Sequence, residues 1–244
     1  MRPDAVTVVI PTYNELSNIA HVTVAVRLAG YRVLIVDDGS PDGTGELADE
    51  MAAEDNLVSV IHRTHKQGLG PAYAEGFDRA LADGAQVVVE MDADFSHNPN
   101  DLPRLVAAIE KGADLAIGSR YVPGGATPDW PLHRRFISRG GNLYARLMLS
   151  LRVRDATAGF RAFRADALRT LPYGEAQASG YGFQVEMAWK AQTSGLQIVE
   201  IPVVFRDREH GHSKMNSSIA FEAMTLVTKW GLARIWRSLP FVRS

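Results

Sequence analysis

A mainly parallel, doubly wound α/β sheet is the fold class this sequence predicts, and three observations predict it. Over the first 120 residues, β-branched runs alternate with segments whose apolar residues recur at helical spacing. Two of those runs, Arg32-Val33-Leu34-Ile35-Val36 and Val87-Val88-Val89, end in paired acids, Asp37-Asp38 and Asp92-Ala93-Asp94. That is what strand ends do when they line a ligand crevice. The third observation is capacity: 244 residues with 46% apolar content suffice to bury the core of one such domain.

The elements follow in order. Val6 to Ile10 reads as a strand stopped by Pro11, and Ile19, Val22, Val26 and Ala29 recur at helical spacing before Gly30. The second strand closes at Asp37-Asp38, and the turn Ser40-Pro41-Asp42-Gly43-Thr44-Gly45 leads to a helix near Glu46 to Ala53. Val58 to His62 forms a third strand. After the loop Lys66-Gln67-Gly68-Leu69-Gly70, Pro71 is suited to a first helical turn, where its missing N–H is harmless. Val87 to Glu90 is the fourth strand, Asn98-Pro99 starts the fourth helix, and Leu115 to Gly118 is the fifth strand.

Composition excludes several classes. With no cysteine, disulfides and thiolate metal sites are out, so any metal must be held by oxygen or histidine. A net charge of -2 offers no general attraction to nucleic acid. No apolar stretch of signal-peptide or membrane-spanning type occurs, which predicts a cytoplasmic protein. The first strand is followed by Pro11-Thr12-Tyr13-Asn14-Glu15 rather than a dinucleotide glycine motif, and no Walker lysine loop is present.

Two aspartates at i and i+2 on extended backbone point to one side, with small Ala93 between them admitting a ligand. Such a pair suits a divalent cation, although read alone it is better explained as capping of the following helix. The second acidic pair at the same sheet edge favours a site.

At this point the chain resembles the family 2 inverting glycosyltransferases, which have the GT-A nucleotide-sugar fold, and within them the polyprenyl-phosphate (dolichyl-phosphate) mannose synthases. The motifs that carry the resemblance run from residue 6 to about 215. They are Val9-Ile10-Pro11-Thr12-Tyr13-Asn14-Glu15, Val36-Asp37-Asp38-Gly39-Ser40, Met91-Asp92-Ala93-Asp94-Phe95-Ser96-His97, Gly118-Ser119-Arg120-Tyr121, Gly159-Phe160-Arg161, Gly180 to Glu186, and Phe205 to Lys214. The resemblance implies a base and ribose site of Pro11, Tyr13, Glu15, Val36 and Asp38. It also implies that Asp92, Ala93 and Asp94 meet GDP-mannose, with Mg2+ or Mn2+ on Asp92, Asp94 and, directly or through water, Ser96. Arg120, Arg208 and Lys214 correspond to its phosphate-contacting cations. His97, His210 and His212 are read as polar loop residues, because hard cations prefer oxygen.

Trp130 to Arg154 contains no acid but six arginines, interleaved with Phe136, Ile137, Leu143, Leu147, Met148 and Leu151 at helical spacing. Such a face suits a membrane surface or a lipid chain. Arg134 is the first choice for an acceptor phosphate, backed by Arg135 and Arg139, so Asp94, Arg120 and Arg134 are the expected catalytic residues. After Glu222 the chain is again basic and apolar, and residues 216–244 read as an amphipathic tail beyond a domain of 1–215. That tail suits a membrane, an integral-membrane partner or core packing. The expected reaction is mannosyl transfer from GDP-mannose to a polyprenyl monophosphate. The alternatives are UDP-glucose as donor and a non-catalytic sugar-nucleotide-binding subunit.

Overall fold

The β-branched runs pair side by side because helical crossovers return the chain to the same end of the sheet each time. In the computed structural model, which describes residues 2–178, 180–206 and 217–238, one sheet contains β1 (Val6–Thr12), β2 (Arg32–Asp37), β3 (Val58–His62), β4 (Val87–Glu90), β5 (Leu115–Ser119), β6 (Arg161–Arg164) and β7 (Ile198–Pro202). The strand order is β3-β2-β1-β4-β6-β5-β7. Every neighbouring pair is parallel except those made by β6, which runs against β4 and β5. The helices are α1 (Ile19–Leu28), α2 (Thr44–Glu54), α3 (Leu69–Ala82), α4 (Leu102–Glu110), α5 (Leu132–Leu149), α6 (Ala165–Arg169), α7 (Tyr181–Thr193) and α8 (Ser217–Ser238).

Alternation along the strands divides the core into two layers. Val6, Val8, Ile10, Val33, Ile35, Val87 and Val89 pack with Ile19 and Val22 of α1 and Leu102 and Leu105 of α4. Val9, Leu34, Val36, Val88, Ile117 and Phe163 pack with Tyr73 and Phe77 of α3 and Phe183 and Met187 of α7. Helix α3 lies close on the sheet: a Cβ at Gly76 would stand 2.4 Å from Val9 Cγ1, so only glycine fits there.

Pro11 does not stop the first strand, which continues to Thr12 with Pro11 opposite Val36. The physical reason is register. Val9 O accepts from Met91 N–H, the last bond to the β4 side, and Thr12 O accepts from Asp38 N–H on the β2 side. Pro11 therefore faces the side where β4 has already ended, and its missing donor costs no ladder bond. Helix α4 begins at Leu102, preceded by a 3-10 turn over Pro99–Asp101 in which the Asn98 side chain accepts from Asn100 N–H. Strand β6 is hidden in the sequence, because a wholly buried arginine opens it.

Helix α8 packs on α5 and α7, so part of the stretch read as a tail shares the core, one of the alternatives open for it. Val227 and Trp230 are buried in the same core layer as Met187, Trp230 stacks on Trp189 with ring centroids 5.7 Å apart, and Tyr144 Oη bonds Thr228 Oγ1 at 2.5 Å.

Candidate active site at the carboxyl edge of the sheet

The ends of β1 and β2 are tied together by Asp37. Its buried carboxylate accepts from Thr12 Oγ1 at 3.0 Å, Ser40 N–H at 2.9 Å and Ser40 Oγ at 2.5 Å, so this acid is engaged by the scaffold. The loop after β1 is seated on the next turn through Asn14 N–H to Ser40 Oγ (3.0 Å), Glu15 N–H to Thr44 Oγ1 (3.0 Å) and Leu16 N–H to Asp42 Oδ2 (3.2 Å). Asn14 sits at φ 55, a conformation asparagine tolerates. This fixes Tyr13 and the buried Glu15, whose Oε2 accepts from Asn18 Nδ2 at 2.9 Å. Lys66 Nζ lies 4.3 Å from the Tyr13 ring centroid.

Asp38 is buried and paired with Arg63, the residue following β3. Burial pushes its carboxyl above the usual carboxylate range, against the opposing pull of Arg63. Arg63 also donates from Nε to Glu75 Oε2 and from Nη2 to Gln67 Oε1, both at 2.9 Å. Sequence reading missed Arg63. The rule that drew attention to Asp37-Asp38, a charged residue directly after a strand on the ligand edge, would have found it.

Beyond β4 the backbone turns sharply, with Phe95 at φ 60. Asp92 N–H donates to His97 Nδ1 at 3.1 Å, and His97 stacks on Phe160 at 5.0 Å, so the imidazole supports the loop. Asp94 is 3% exposed and its Oδ1 accepts from Ser96 N–H at 3.0 Å. Ser96 Oγ is buried beside that carboxylate with no hydrogen-bond partner. Two carboxylates, Asp92 and Asp94, and an unsatisfied hydroxyl within one turn fit a hard divalent cation that keeps water or phosphate as its other ligands. Among the described residues no three histidine, aspartate or glutamate side chains converge, so the protein would supply only part of such an ion's shell.

The sequence reading offered Arg120 to phosphate, but the structure places it differently. Its guanidinium makes a two-pronged, buried pair with Asp155 (Nε to Oδ2 2.7 Å, Nη2 to Oδ1 2.6 Å), and Nη2 also reaches Thr157 Oγ1 at 2.8 Å. Its carbon end lies 5.4–5.5 Å from the rings of Tyr121, Trp130 and Phe205. Asp155 is that pair's fully buried half.

Trp130 connects this pair to helix α5, because the Arg134 guanidinium lies 4.0 Å from the Trp130 ring centroid. Arg135 turns back to Pro128 O at 2.8 Å, and Arg139 lies 5.7 Å from the Tyr121 ring. Trp130 packs edge-on against Phe205, and Phe205 against His97. A line of rings thus joins the Asp92 loop to Arg134. The residues Arg208, His210, His212 and Lys214 lie outside the described part of the chain.

Residues 7–171 match the model of glycosyl transferase family 2. This chain belongs to glycosyl transferase family 2. Among relatives, it is 51% identical over 236 residues to an undecaprenyl-phosphate mannosyltransferase of Micrococcus luteus, covering 96% of this chain and 97% of that protein. It is 48% identical over 248 residues to a polyprenol monophosphomannose synthase of Mycolicibacterium smegmatis, covering 100% and 94%. A solved mannosyltransferase from Pyrobaculum calidifontis in complex with GDP-Man and Mn2+ superposes with a TM-score of 0.58 at 18% identity, over 97% of this chain and 67% of that one, which shows a shared fold. The sheet is thus the GT-A glycosyltransferase fold, as the motifs implied.

Behind the Asp92-Ala93-Asp94 loop this family 2 chain carries a second buried charged group that the sequence reading did not single out. Glu90 and Arg161, opposite each other on β4 and β6, are both fully buried. Burial pushes Glu90 up to about 7, with Arg161 pulling the other way. Arg161 donates to Ala158 O and Ala156 O, each at 2.8 Å, bracing the loop that holds Asp155 and Thr157.

Proposed function

We propose that this chain transfers mannose from GDP-mannose to a polyprenyl (dolichyl-type) monophosphate with inversion, releasing GDP. The observation that carries the proposal is the placement of Arg134, beside an exposed apolar helix face, at one end of the ring line that starts at the Asp92 loop. The two full-length relatives named above support the same donor sugar and lipid acceptor.

The chemistry follows from the acceptor. A phosphate monoester is anionic at neutral pH, so its oxygen forms the new bond to the anomeric carbon as the bond from that carbon to the diphosphate oxygen breaks. Positioning and charge screening then matter more than proton removal. No general base is required, and the nearby Asp155 is committed to Arg120. Asp92, Asp94 and Ser96 would hold Mg2+ or Mn2+, which when bound neutralises charge on the departing diphosphate. Tyr13, Glu15, Val36, Asp38 and Pro11 receive the nucleoside. Arg120 fixes the edge on which Arg134 meets acceptor phosphate, and the resemblance adds Arg208 and Lys214, outside the described residues, as candidates for further phosphate contacts.

The acceptor's tail calls for a lipid surface. Phe136, Ile137, Leu143 and Leu147 of α5 and Phe221, Met224, Leu232, Ile235 and Trp236 of α8 are exposed. Among the described residues no helix is long and apolar enough to cross a membrane. We therefore infer peripheral docking on the cytoplasmic face through α5 and α8, alone or on an integral-membrane partner.

The test is transfer of labelled sugar from GDP-mannose to a short-chain polyprenyl phosphate by the purified chain, with and without Mn2+ or Mg2+. Metal-dependent product with GDP-mannose, and little with UDP-glucose, is the expected result. Absence of transfer, or preference for UDP-glucose, overturns the proposal.

A further inference from the structure

The Glu90–Arg161 pair is unusual because its polar atoms do not meet. Both Glu90 carboxylate oxygens, Arg161 Nη1, Tyr73 Oη and both amide atoms of Gln184 are buried and make no well-formed hydrogen bond, the Gln184 side chain standing only within hydrogen-bonding reach of the Glu90 carboxyl. They come from four elements, β4, β6, α3 and α7, and they are neighbours. Gln184 and Arg161 both act on the Glu90 carboxyl, and Glu90 and Arg161 both act on the Tyr73 hydroxyl. Leaving so many buried polar atoms unsatisfied would cost several kcal/mol, at about 1–3 kcal/mol for each group. Something must complete them.

The donor and acceptor balance says what. Arg161 Nη1 and Gln184 Nε2 donate, the Glu90 carboxylate and Gln184 Oε1 accept, and Tyr73 Oη does either. A cation would face Arg161 and an anion would face Glu90. Water satisfies both kinds, and a buried water typically takes two to four such partners.

The same group reaches the catalytic edge at Gly159. A Cβ built there would lie 3.8 Å from Gln184 Nε2, 3.9 Å from Asp92 Oδ1 and 3.6 Å from His97 Cε1. The absent side chain leaves the ground between the Gln184 amide and the Asp92 carboxylate unobstructed.

We propose that Tyr73, Glu90, Arg161 and Gln184 enclose an internal water site directly behind the Asp-x-Asp loop, and that Gln184 is a positioning residue through which this water holds Asp92 in its ligand-binding orientation. The second half rests on the donor-binding role proposed above; the first does not.

The experiment is a crystal structure of the unliganded full chain at a resolution that shows ordered water, paired with calorimetric titration of GDP in the presence of Mn2+. The expected structure shows at least one water bonded to Glu90 and Gln184. Direct closure of the six atoms on one another, or an empty space, overturns the site. Gln184→Met, similar in length and apolar, and Gly159→Ala, whose methyl makes only ordinary contacts, should each weaken GDP–Mn2+ binding about tenfold, in line with losses on removing supports of ligating carboxylates. Gln184→Glu restores a hydrogen-bonding group and should recover part of that loss. Thermal midpoints measured alongside separate positioning from folding. Unchanged GDP affinity in Gln184→Met, or equal loss in Gln184→Met and Gln184→Glu, overturns the positioning role. If wild-type chain fails to bind GDP, the donor reading falls while the water site is still judged by the crystal.

Discussion

The edge proposed to receive the donor and the α5–α8 face are built on opposite plans. At the donor edge, Asp37, Asp38, Asp94 and Glu15 are buried, and hydrogen bonds from neighbouring strand ends and turns hold Asp37, Asp94 and Glu15 while Arg63 pairs with Asp38. On the α5–α8 face, large apolar side chains stand in solvent among arginines. The first plan gives a rigid receptor for a polar ligand, because each carboxylate is fixed before the ligand arrives. The second gives an adaptable surface for a greasy one, whose binding needs area more than geometry. Arg134, stacked on Trp130, stands where the two meet.

That contrast is broken most severely at its rigid half. Asp94→Ala should lower transfer by about a thousandfold, a loss of the size seen when transition-state charge loses a fixed partner. A steady-state assay at saturating GDP-mannose and metal checks it, and near wild-type turnover would mean that the donor edge is not where catalysis occurs. Next in size, Asp155→Ala leaves Arg120 buried without its partner and should cost about 3–5 kcal/mol of stability, seen as a lower denaturation midpoint.

At the junction, Arg134→Ala should raise the KM for polyprenyl phosphate roughly ten- to a hundredfold, the value of a charge-assisted contact, while leaving GDP affinity unchanged. An equal loss of GDP affinity would erase the division between the two halves. On the adaptable half, Phe136→Ser with Leu147→Ser should weaken vesicle binding, with each exposed side chain contributing up to about 1.5–3 kcal/mol when buried in lipid. Activity on a water-soluble short-chain acceptor should persist. Co-sedimentation with anionic vesicles measures the first effect.

The last effect concerns pH. Glu90 has its folded pKa raised from 4.5 to about 7, so its contribution favours the native state below pH 4.5 and is lost as pH rises through 7. The gap sets an upper bound on the order of 3 kcal/mol. Glu90→Gln should flatten this stretch of the stability–pH curve, measured by chemical denaturation at several pH values.

Much of the rigid half was legible because strand ends and acid pairs are local patterns. Asp92, Asp94 and Ser96 occupy one turn of chain, and their grouping needs no tertiary knowledge. Asp38 was placed at the sheet edge by the same logic, whereas Tyr13 and Glu15 came from the family resemblance. What escaped depends on pairing across the sheet. Arg120 reads as an exposed cation until Asp155, 35 residues on, closes against it. Arg161 reads as surface until β6 is seen to run backwards between β4 and β5, which no local period announces. Pro11 misled for a related reason, since its effect on a strand depends on where the neighbouring strand stops. The exposure of Phe136 and Leu147 agrees with the apolar spacing read in α5, but the packing of α8 on α5 depended on contacts such as Tyr144 with Thr228, far apart in sequence.

Strands β5 and β6 are adjacent and antiparallel, with Ile117 opposite Arg161. The intervening stretch, 120–160, therefore leaves the sheet and rejoins it at almost the same place, like a handle fixed at both feet. Its two ends are set by the sheet while the outer face of α5 is exposed, so on the function proposed above substitutions at Phe136, Ile137, Leu143 and Leu147 would alter what receives the sugar without touching strand pairing.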